Sequence, residues 1–212
     1  MSAEVQINLS AFFISLFVSG AIYWLARKRN QTGFDDIAGP QKIHQGTVPR
    51  IGSIAIVVGL FVSLAFIPNV STSLFVLLII AAMPVFVAGI AEDLTGSVSA
   101  KLRLVASLIS GCLFCWITGY QITSVGIESL SPVLAMPFLS FVLTSVAVGA
   151  MVNALNIIDG LNGLASTTTV FMIASFGALS ARFGDSELQV ICFLIVSVNL
   201  GFLIWNFPFG KL

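Results

Sequence analysis

Long apolar runs, separated by short polar links, follow one another along almost the whole chain. A transmembrane helix needs about 20 consecutive apolar residues to cross a hydrocarbon core of about 30 Å. Seven runs approach or reach this length, with approximate limits Leu9 to Ala26, Gly52 to Pro68, Ser73 to Ala91, Arg103 to Tyr120, Pro132 to Val152, Gly163 to Ala181 and Leu188 to Trp205. The pattern predicts an all-α bundle of about seven membrane spans, forming a single integral membrane domain over residues 1–212.

The composition agrees with this architecture. Hydrophobic residues make up 58% of the chain and charged residues 8%, whereas a typical soluble domain has roughly 25% charged residues. The mean hydropathy is +1.06. These values exclude a soluble globular protein, a disordered segment and a nucleic-acid-binding domain, and they favour a multi-pass helical membrane protein.

The positions of Lys and Arg predict the orientation, because cytoplasmic loops of membrane proteins are enriched in these residues. Of the nine Lys and Arg residues, Arg182 alone lies on one side of the predicted bundle. The other eight fall after the first, third and seventh spans: Arg27, Lys28, Arg29, Lys42, Arg50, Lys101, Arg103 and Lys211. We therefore expect an N-terminus outside the cell and a C-terminus in the cytoplasm.

Two cysteines, Cys112 and Cys115, have CxxC spacing but fall inside the predicted fourth span. We interpret them as small apolar packing residues. A redox function would need accessible thiols with a low pKa, which the interior of a span disfavours. With Cys192 the chain has three cysteines, which do not form a disulfide framework.

The first of three polar clusters on the predicted cytoplasmic side runs from Lys42 to Ser53, with the sequence KIHQGTVPRIGS. It contains the only His of the chain. Lys42, His44 and Arg50 can bind an anionic headgroup or a phosphate. The alternative is a positive anchor that marks the cytoplasmic membrane boundary.

The second cluster, AGIAEDLTGSVSAKLR, places Glu92 and Asp93 side by side at a span end, with Lys101 eight residues after Asp93. Adjacent carboxylates at a membrane edge can bind a divalent cation or act as a base. The alternative is a charged pair that marks the water boundary.

The third cluster, NALNIIDGLNGLAS, places Asn153, Asn156 and Asp159 three residues apart, along one stripe of a helix. Oxygen atoms on such a stripe suit Mg²⁺ and the phosphates it carries. Gly163, with Gly160, then interrupts the helix; the alternative is a polar helix end with an Asn-Gly turn. Acidic groups for a metal and basic groups for phosphate together indicate phosphoryl transfer at the cytoplasmic membrane surface.

From about Lys42 to Leu212, the chain resembles the polyprenyl-phosphate N-acetylhexosamine-1-phosphate transferases, also called glycosyltransferase family 4. Relatives include the phospho-N-acetylmuramoyl-pentapeptide transferases. HQGTVPRIGS is similar to the family's Pro-Arg-Gly-Gly loop, and AGIAEDLTGSVSAKLR to its Asp-Asp motif. NALNIIDGLNGLA is the most specific match, and NFPFGKL is similar to the lead-in to the family's Gly-Asp motif.

The resemblance implies a cytoplasmic-face enzyme of the bacterial inner membrane, in which polyprenyl phosphate, usually undecaprenyl phosphate, attacks a UDP-N-acetylhexosamine and UMP leaves. It implies Mg²⁺ as cofactor, with Mn²⁺ as an alternative, and leaves a homodimer open. The implied catalytic residues are Glu92, Asp93 and Asp159, and the implied metal ligands are Asn156 and Asp159. The implied substrate-binding residues are Lys42, His44, Arg50, Lys101, Asn153, Asn162 and Gly163.

The chain departs from the family pattern at three places. Glu92 stands where the family usually has Asp, and Ser53 where it usually has a second Gly. Leu212 falls just before the expected Gly-Asp motif, and the family usually has ten or eleven spans. We therefore expect a C-terminally truncated family fold, and the identity of the sugar stays open.

The alternative function is a catalytically inactive fragment or a non-enzymatic multi-pass transporter or lipid-binding protein. Transporters usually place their polar sites near the bilayer midplane. Here the polar clusters fall at span ends on one predicted face, which favours an interfacial enzyme.

Overall fold

The computed structural model describes residues 3–29, 52–64, 72–159 and 161–208, and in these residues it is all-helical. A 3₁₀ turn, Glu128–Leu130, precedes the shortest helix. The α-helices are α1 (Ala3–Arg29), α2 (Ser53–Leu64), α3 (Thr72–Thr95), α4 (Ala100–Thr118), α5 (Ser131–Leu134), α6 (Pro137–Ile158), α7 (Leu164–Phe183) and α8 (Ser186–Asn206). The all-α prediction is confirmed.

Six of these helices are long and apolar enough to cross a membrane: α1, α3, α4, α6, α7 and α8. Helix α2 corresponds to the shortest predicted run, and its apolar stretch Ser53–Val62 is shorter than a typical span. The chain is a multi-pass membrane protein. The count of seven spans and the orientation of the termini stay predictions.

Contacts divide the chain into two compact units, with one boundary at the start of α3 and the other at the last turn of α6. The first unit contains α1, α2, α7 and α8, and the second contains α3 to α6. The single domain over residues 1–212 stays a prediction.

In the first unit, α8 packs against α1, α2 and α7. Small residues allow the backbones of α1 and α8 to approach closely: a Cβ atom on Gly201 would collide with the carbonyl oxygen of Phe12. Ser15, which is fully buried, donates a hydrogen bond from Oγ to the carbonyl oxygen of Val198 at 2.7 Å. Such small-residue contacts and interhelical hydrogen bonds hold helices together where lipid removes the hydrophobic driving force between them.

In the second unit, a small residue likewise allows the backbones of α4 and α6 to approach closely. A Cβ atom on Gly111 would lie 2.5 Å from the carbonyl oxygen of Ser145, so only glycine permits this approach. Helix α3 packs against α4, and the backbone N–H of Val85, next to Pro84 within α3, donates to Ser110 Oγ at 3.3 Å. A hydroxyl from a neighbouring helix thus supports the backbone beside the proline. This packing places the ends of α3, α4 and α6 around a common cleft.

Candidate functional site

The turn between α3 and α4 is closed by hydrogen bonds from its own side chains. Glu92, on the last turn of α3, accepts a hydrogen bond at Oε2 from the backbone N–H of Val98 at 2.8 Å. Gly96 adopts a left-handed conformation with φ +61°, which glycine reaches without strain. Ser99 then caps α4 by accepting a hydrogen bond from the N–H of Leu102 at 3.3 Å. The turn therefore fixes where α4 begins.

A cleft with about 330 Å³ of empty volume, open to solvent, lies between α3, α4 and α6 of the second unit. Four polar residues line it: Arg103, Ser107, Asn153 and Asn156. Its apolar lining comes from Val85, Ala88 and Val152. We call this feature the α3/α4/α6 cleft.

The lining of the α3/α4/α6 cleft suits an anion with polar substituents. Arg103 is half-buried as a residue, and its guanidinium has a planar set of donors that matches phosphate oxygens. The side-chain amides of Asn153 and Asn156 each offer both donors and an acceptor. Ser107, which is 1% exposed, donates its hydroxyl hydrogen to the carbonyl oxygen of Leu104 at 2.7 Å, so its remaining hydrogen-bonding capacity is that of an acceptor.

The structure brings together some of the predicted residues of this unit. Asn153 and Asn156 both line the cleft. Glu92 and Asp93 are half-buried on the last turn of α3, and Glu92 follows the cleft residue Ala88 by one helical turn. Lys101 is exposed on the first turn of α4 and is not among the described residues that line the cleft.

Asp159, Asn162 and Gly163 belong to the first unit. Asp159 is exposed in the turn that follows α6. Asn162 donates from Nδ2 to the carbonyl oxygen of Pro208 at 3.2 Å. Gly163 is buried with φ +75°, and a Cβ atom there would lie 2.9 Å from the Cβ of Phe207. Both residues thus attach the turn before α7 to the end of α8, and their role in substrate binding stays a prediction.

Three predicted phosphate-binding residues, Lys42, His44 and Arg50, lie outside the residues that the structure describes. Arg103 and Ser107 line the cleft, although the sequence motifs do not identify them as site residues. In the sequence, Arg103 stands out only as a positive charge on the predicted cytoplasmic side. The signal that points to it is Ser107, a polar residue four positions later, which on a helix lies on the same face as Arg103.

The described residues do not include a group of three or more His, Cys, Asp or Glu side chains that would hold a metal ion. Mg²⁺ usually keeps several waters and binds through one or two carboxylates together with substrate phosphates. Asn156 and Asp159 belong to different units; each is exposed and carries an oxygen ligand of the kind that Mg²⁺ binds. Their role as metal ligands stays a prediction.

Comparison with known proteins connects this arrangement to a family. The family model for glycosyl transferase family 4 matches residues 74–212. A probable undecaprenyl-phosphate N-acetylglucosaminyl 1-phosphate transferase of Bacillus subtilis is 24% identical over 203 residues, which are 95% of this chain and 56% of that protein.

Two undecaprenyl-phosphate alpha-N-acetylglucosaminyl 1-phosphate transferases are also similar. The protein of Yersinia pestis is 28% identical over 95% of this chain and 55% of its own length. The protein of Salmonella typhi is 29% identical over 91% of this chain and 53% of its own length. The chain thus spans about half the length of the curated relatives it matches. Because the family model matches more than half of the chain, the resemblance seen in its motifs is confirmed, and the chain belongs to glycosyl transferase family 4.

Proposed function

We propose that this chain takes part in the transfer of an N-acetylhexosamine 1-phosphate from a UDP-sugar to a polyprenyl phosphate. This transfer is the first step in the synthesis of a cell-envelope polysaccharide. The reaction takes place at the cytoplasmic face of the inner membrane. Membership of glycosyl transferase family 4 supports the reaction class. The names of the relatives support undecaprenyl phosphate as acceptor and N-acetylglucosamine 1-phosphate as the transferred group.

The proposal rests on the α3/α4/α6 cleft, in which Arg103, Asn153 and Asn156 lie together at one end of the helices. An arginine in a partly buried cleft is a stronger phosphate ligand than an exposed cation, because less water competes for its donors. The two amides add hydrogen-bonding partners for the polar groups next to the phosphate. A transporter or redox protein does not require this combination.

In the proposed reaction, an oxygen of the lipid phosphate attacks the β-phosphorus of the UDP-sugar. The bond between the β-phosphorus and the oxygen that bridges to the α-phosphorus breaks, and UMP leaves with that electron pair. The lipid phosphate is already a nucleophile, so the protein mainly has to align two anions and offset their repulsion. Arg103 and Lys101 supply positive charge for this purpose, and Asp93 orients the acceptor phosphate or accepts its remaining proton.

Asn156 and Asp159 would hold Mg²⁺, with Mn²⁺ as an alternative, together with the diphosphate of the donor. When bound, the cation neutralises charge on the diphosphate and stabilises the leaving group. Asn153 and Asn162 contribute amide groups for the sugar and the nucleotide.

Label transfer tests the proposed function directly. Membranes that contain the 212-residue chain receive undecaprenyl phosphate, Mg²⁺ and UDP-N-acetylglucosamine labelled in the sugar. A parallel sample contains the extended chain, which we define as residues 1–212 continued by the C-terminal portion of the Bacillus subtilis relative. We expect the extended chain to transfer label into lipid, which is extracted into the organic phase. When EDTA is present, we expect the label to stay in the aqueous phase. Label that stays in water for both chains and for every UDP-N-acetylhexosamine tried would contradict the proposal.

A further inference from the structure

We propose that Glu92 is a positioning residue, which holds the α3–α4 turn so that α4 presents Arg103 to the α3/α4/α6 cleft. The inference rests on the proposed function for the role of Arg103, but the contact itself is independent of it. It differs from the role that the family resemblance implies for Glu92, which is catalytic. It leaves Asp93 as the carboxylate of this pair that meets the substrate.

The contact joins a side chain to a backbone group six residues later. Oε2 of Glu92 accepts a hydrogen bond from the N–H of Val98 at 2.8 Å. Because the acceptor is a carboxylate, the bond is charge-assisted and stronger than a neutral hydrogen bond. It ties the end of α3 to the residue immediately before the Ser99 cap of α4.

The length of the Glu side chain matters for this contact. An aspartate at position 92 would have its carboxylate one carbon–carbon bond closer to the backbone, about 1.5 Å shorter. From the same backbone position it would not reach the N–H of Val98 at hydrogen-bonding distance. The contact thus offers a physical reason for Glu at the place where the family usually has Asp.

Other hydrogen bonds also hold the α3–α4 turn in place. Thr95 Oγ1 donates to the carbonyl oxygen of Ala91 at 2.6 Å, and the hydroxyl of Ser97 lies 2.8 Å from Thr95 Oγ1. Ser99 then accepts from Leu102, and its carbonyl oxygen accepts the N–H of Arg103 at 3.1 Å. The position of Arg103 is therefore fixed through Ser99, and Glu92 holds the residue next to Ser99.

Neighbouring residues on a helix project from it in different directions. Adjacent residues on a helix are rotated by about 100°, so Glu92 and Asp93 do not occupy one helix face. One oxygen of Glu92 is committed to Val98, so Glu92 organises the turn. The proposed function assigns the chemistry to Asp93, which is half-buried on the same helix turn and makes a contact of its own.

Hydrogen exchange of the Val98 amide tests the contact without any activity assay. The 212-residue chain is compared with Glu92→Gln, Glu92→Asp and Glu92→Ala in lipid nanodiscs. We expect the Asp and Ala variants to exchange this amide about tenfold faster. The Gln variant, which keeps an acceptor oxygen at the same reach, stays within about threefold of wild type. Glu187→Asp, a shortened carboxylate at the start of α8 in the other unit, serves as the control and leaves the amide unchanged.

Turnover of the extended chain separates positioning from catalysis. If Glu92 acts only as a positioning residue, Glu92→Gln keeps most of the kcat that Glu92→Asp loses, whereas Asp93→Asn abolishes turnover. If the charge of Glu92 takes part in the chemistry, Glu92→Gln is as inactive as Asp93→Asn, and the inference is overturned. Unchanged Val98 exchange in both the Asp and Ala variants also overturns it. An inactive wild-type chain would count against the proposed function, while the exchange result would still decide the role of Glu92.

Discussion

The side chain of Asn162 and the carbonyl oxygen of Pro208 are joined by a hydrogen bond of 3.2 Å. This bond connects the turn that precedes α7 with the residues that follow α8, which are 46 positions apart in sequence. Beside it, Gly163 packs directly on Phe207. The described parts of two family motifs, residues 161–163 and 206–208, therefore pack together within the first unit.

This packed structure predicts that Gly163→Ala destabilises the protein. The new Cβ atom would have to occupy a left-handed conformation and would lie 2.9 Å from the Cβ of Phe207. Strain and overpacking together cost about 2 kcal/mol or more. The measurement is the midpoint of thermal unfolding in detergent.

Gly184→Ala is the matched control, because Gly184 has nearly the same φ, +76°, and nothing lies within 4 Å of its Cβ position. The Gly184→Ala variant has the backbone strain without the overpacking, so its midpoint of thermal unfolding should fall by roughly half as much. Equal losses in the two variants would show that the contact with Phe207 is not significant.

Arg103 is predicted to be important for turnover. Removing the only cation among the residues described as lining the cleft should lower kcat/KM of the extended chain by about a hundredfold in Arg103→Ala. Arg103→Lys keeps the charge without the planar donor set and should recover only part of this loss. Arg182→Ala, an exposed arginine at the end of α7, is the control. Turnover near the wild-type value in Arg103→Ala would remove Arg103 from the site.

Asp159 and Asn156 are predicted to be essential, because they supply the oxygen ligands proposed for the cation and the diphosphate. Asp159→Ala and Asn156→Ala in the extended chain should each abolish turnover and leave membrane insertion intact. Both side chains are exposed, so their removal does not create a cavity. Insertion is checked by the amount of protein recovered in washed membranes, and near-normal activity in either variant would exclude that residue from the site.

The turn between α6 and α7 is predicted to lie in the cytoplasm. A cysteine at Leu161, which is exposed, is introduced after Cys112, Cys115 and Cys192 are replaced by serine or alanine. An impermeant thiol reagent should label this cysteine in broken cells and not in intact ones. Labelling from outside an intact cell would contradict the orientation expected from Lys and Arg.

The sequence predicted the membrane helices well, because lipid imposes a strong requirement for long apolar segments. It was less accurate at their ends. The predicted third span ends at Ala91, whereas α3 continues to Thr95, because the polar residues Glu92, Asp93 and Thr95 remain helical together with Leu94. The predicted fifth span begins at Pro132, but Ser131–Leu134 forms a separate short helix before α6.

The site was only partly predictable for a different reason. Motif spacing identified Asn153 and Asn156, which the structure places together in the cleft. It did not identify Arg103, because the direction in which one side chain points depends on how three helices pack, and this is not a local property of the sequence. The contact between Glu92 and Val98 was also missed, since an Asp-Asp motif does not reveal which carboxylate closes a turn.

The nucleotide released by the extended chain tests the central claim most directly. The reaction contains undecaprenyl phosphate, Mg²⁺ and the UDP-N-acetylhexosamine that gives lipid-linked label, and the nucleotide products are separated by chromatography. Release of UMP in equal amount to the labelled lipid is the expected result, since it means that the sugar and one phosphate are transferred together. Release of UDP would mean that the sugar alone is transferred, and the proposed sugar-1-phosphate transfer would be wrong.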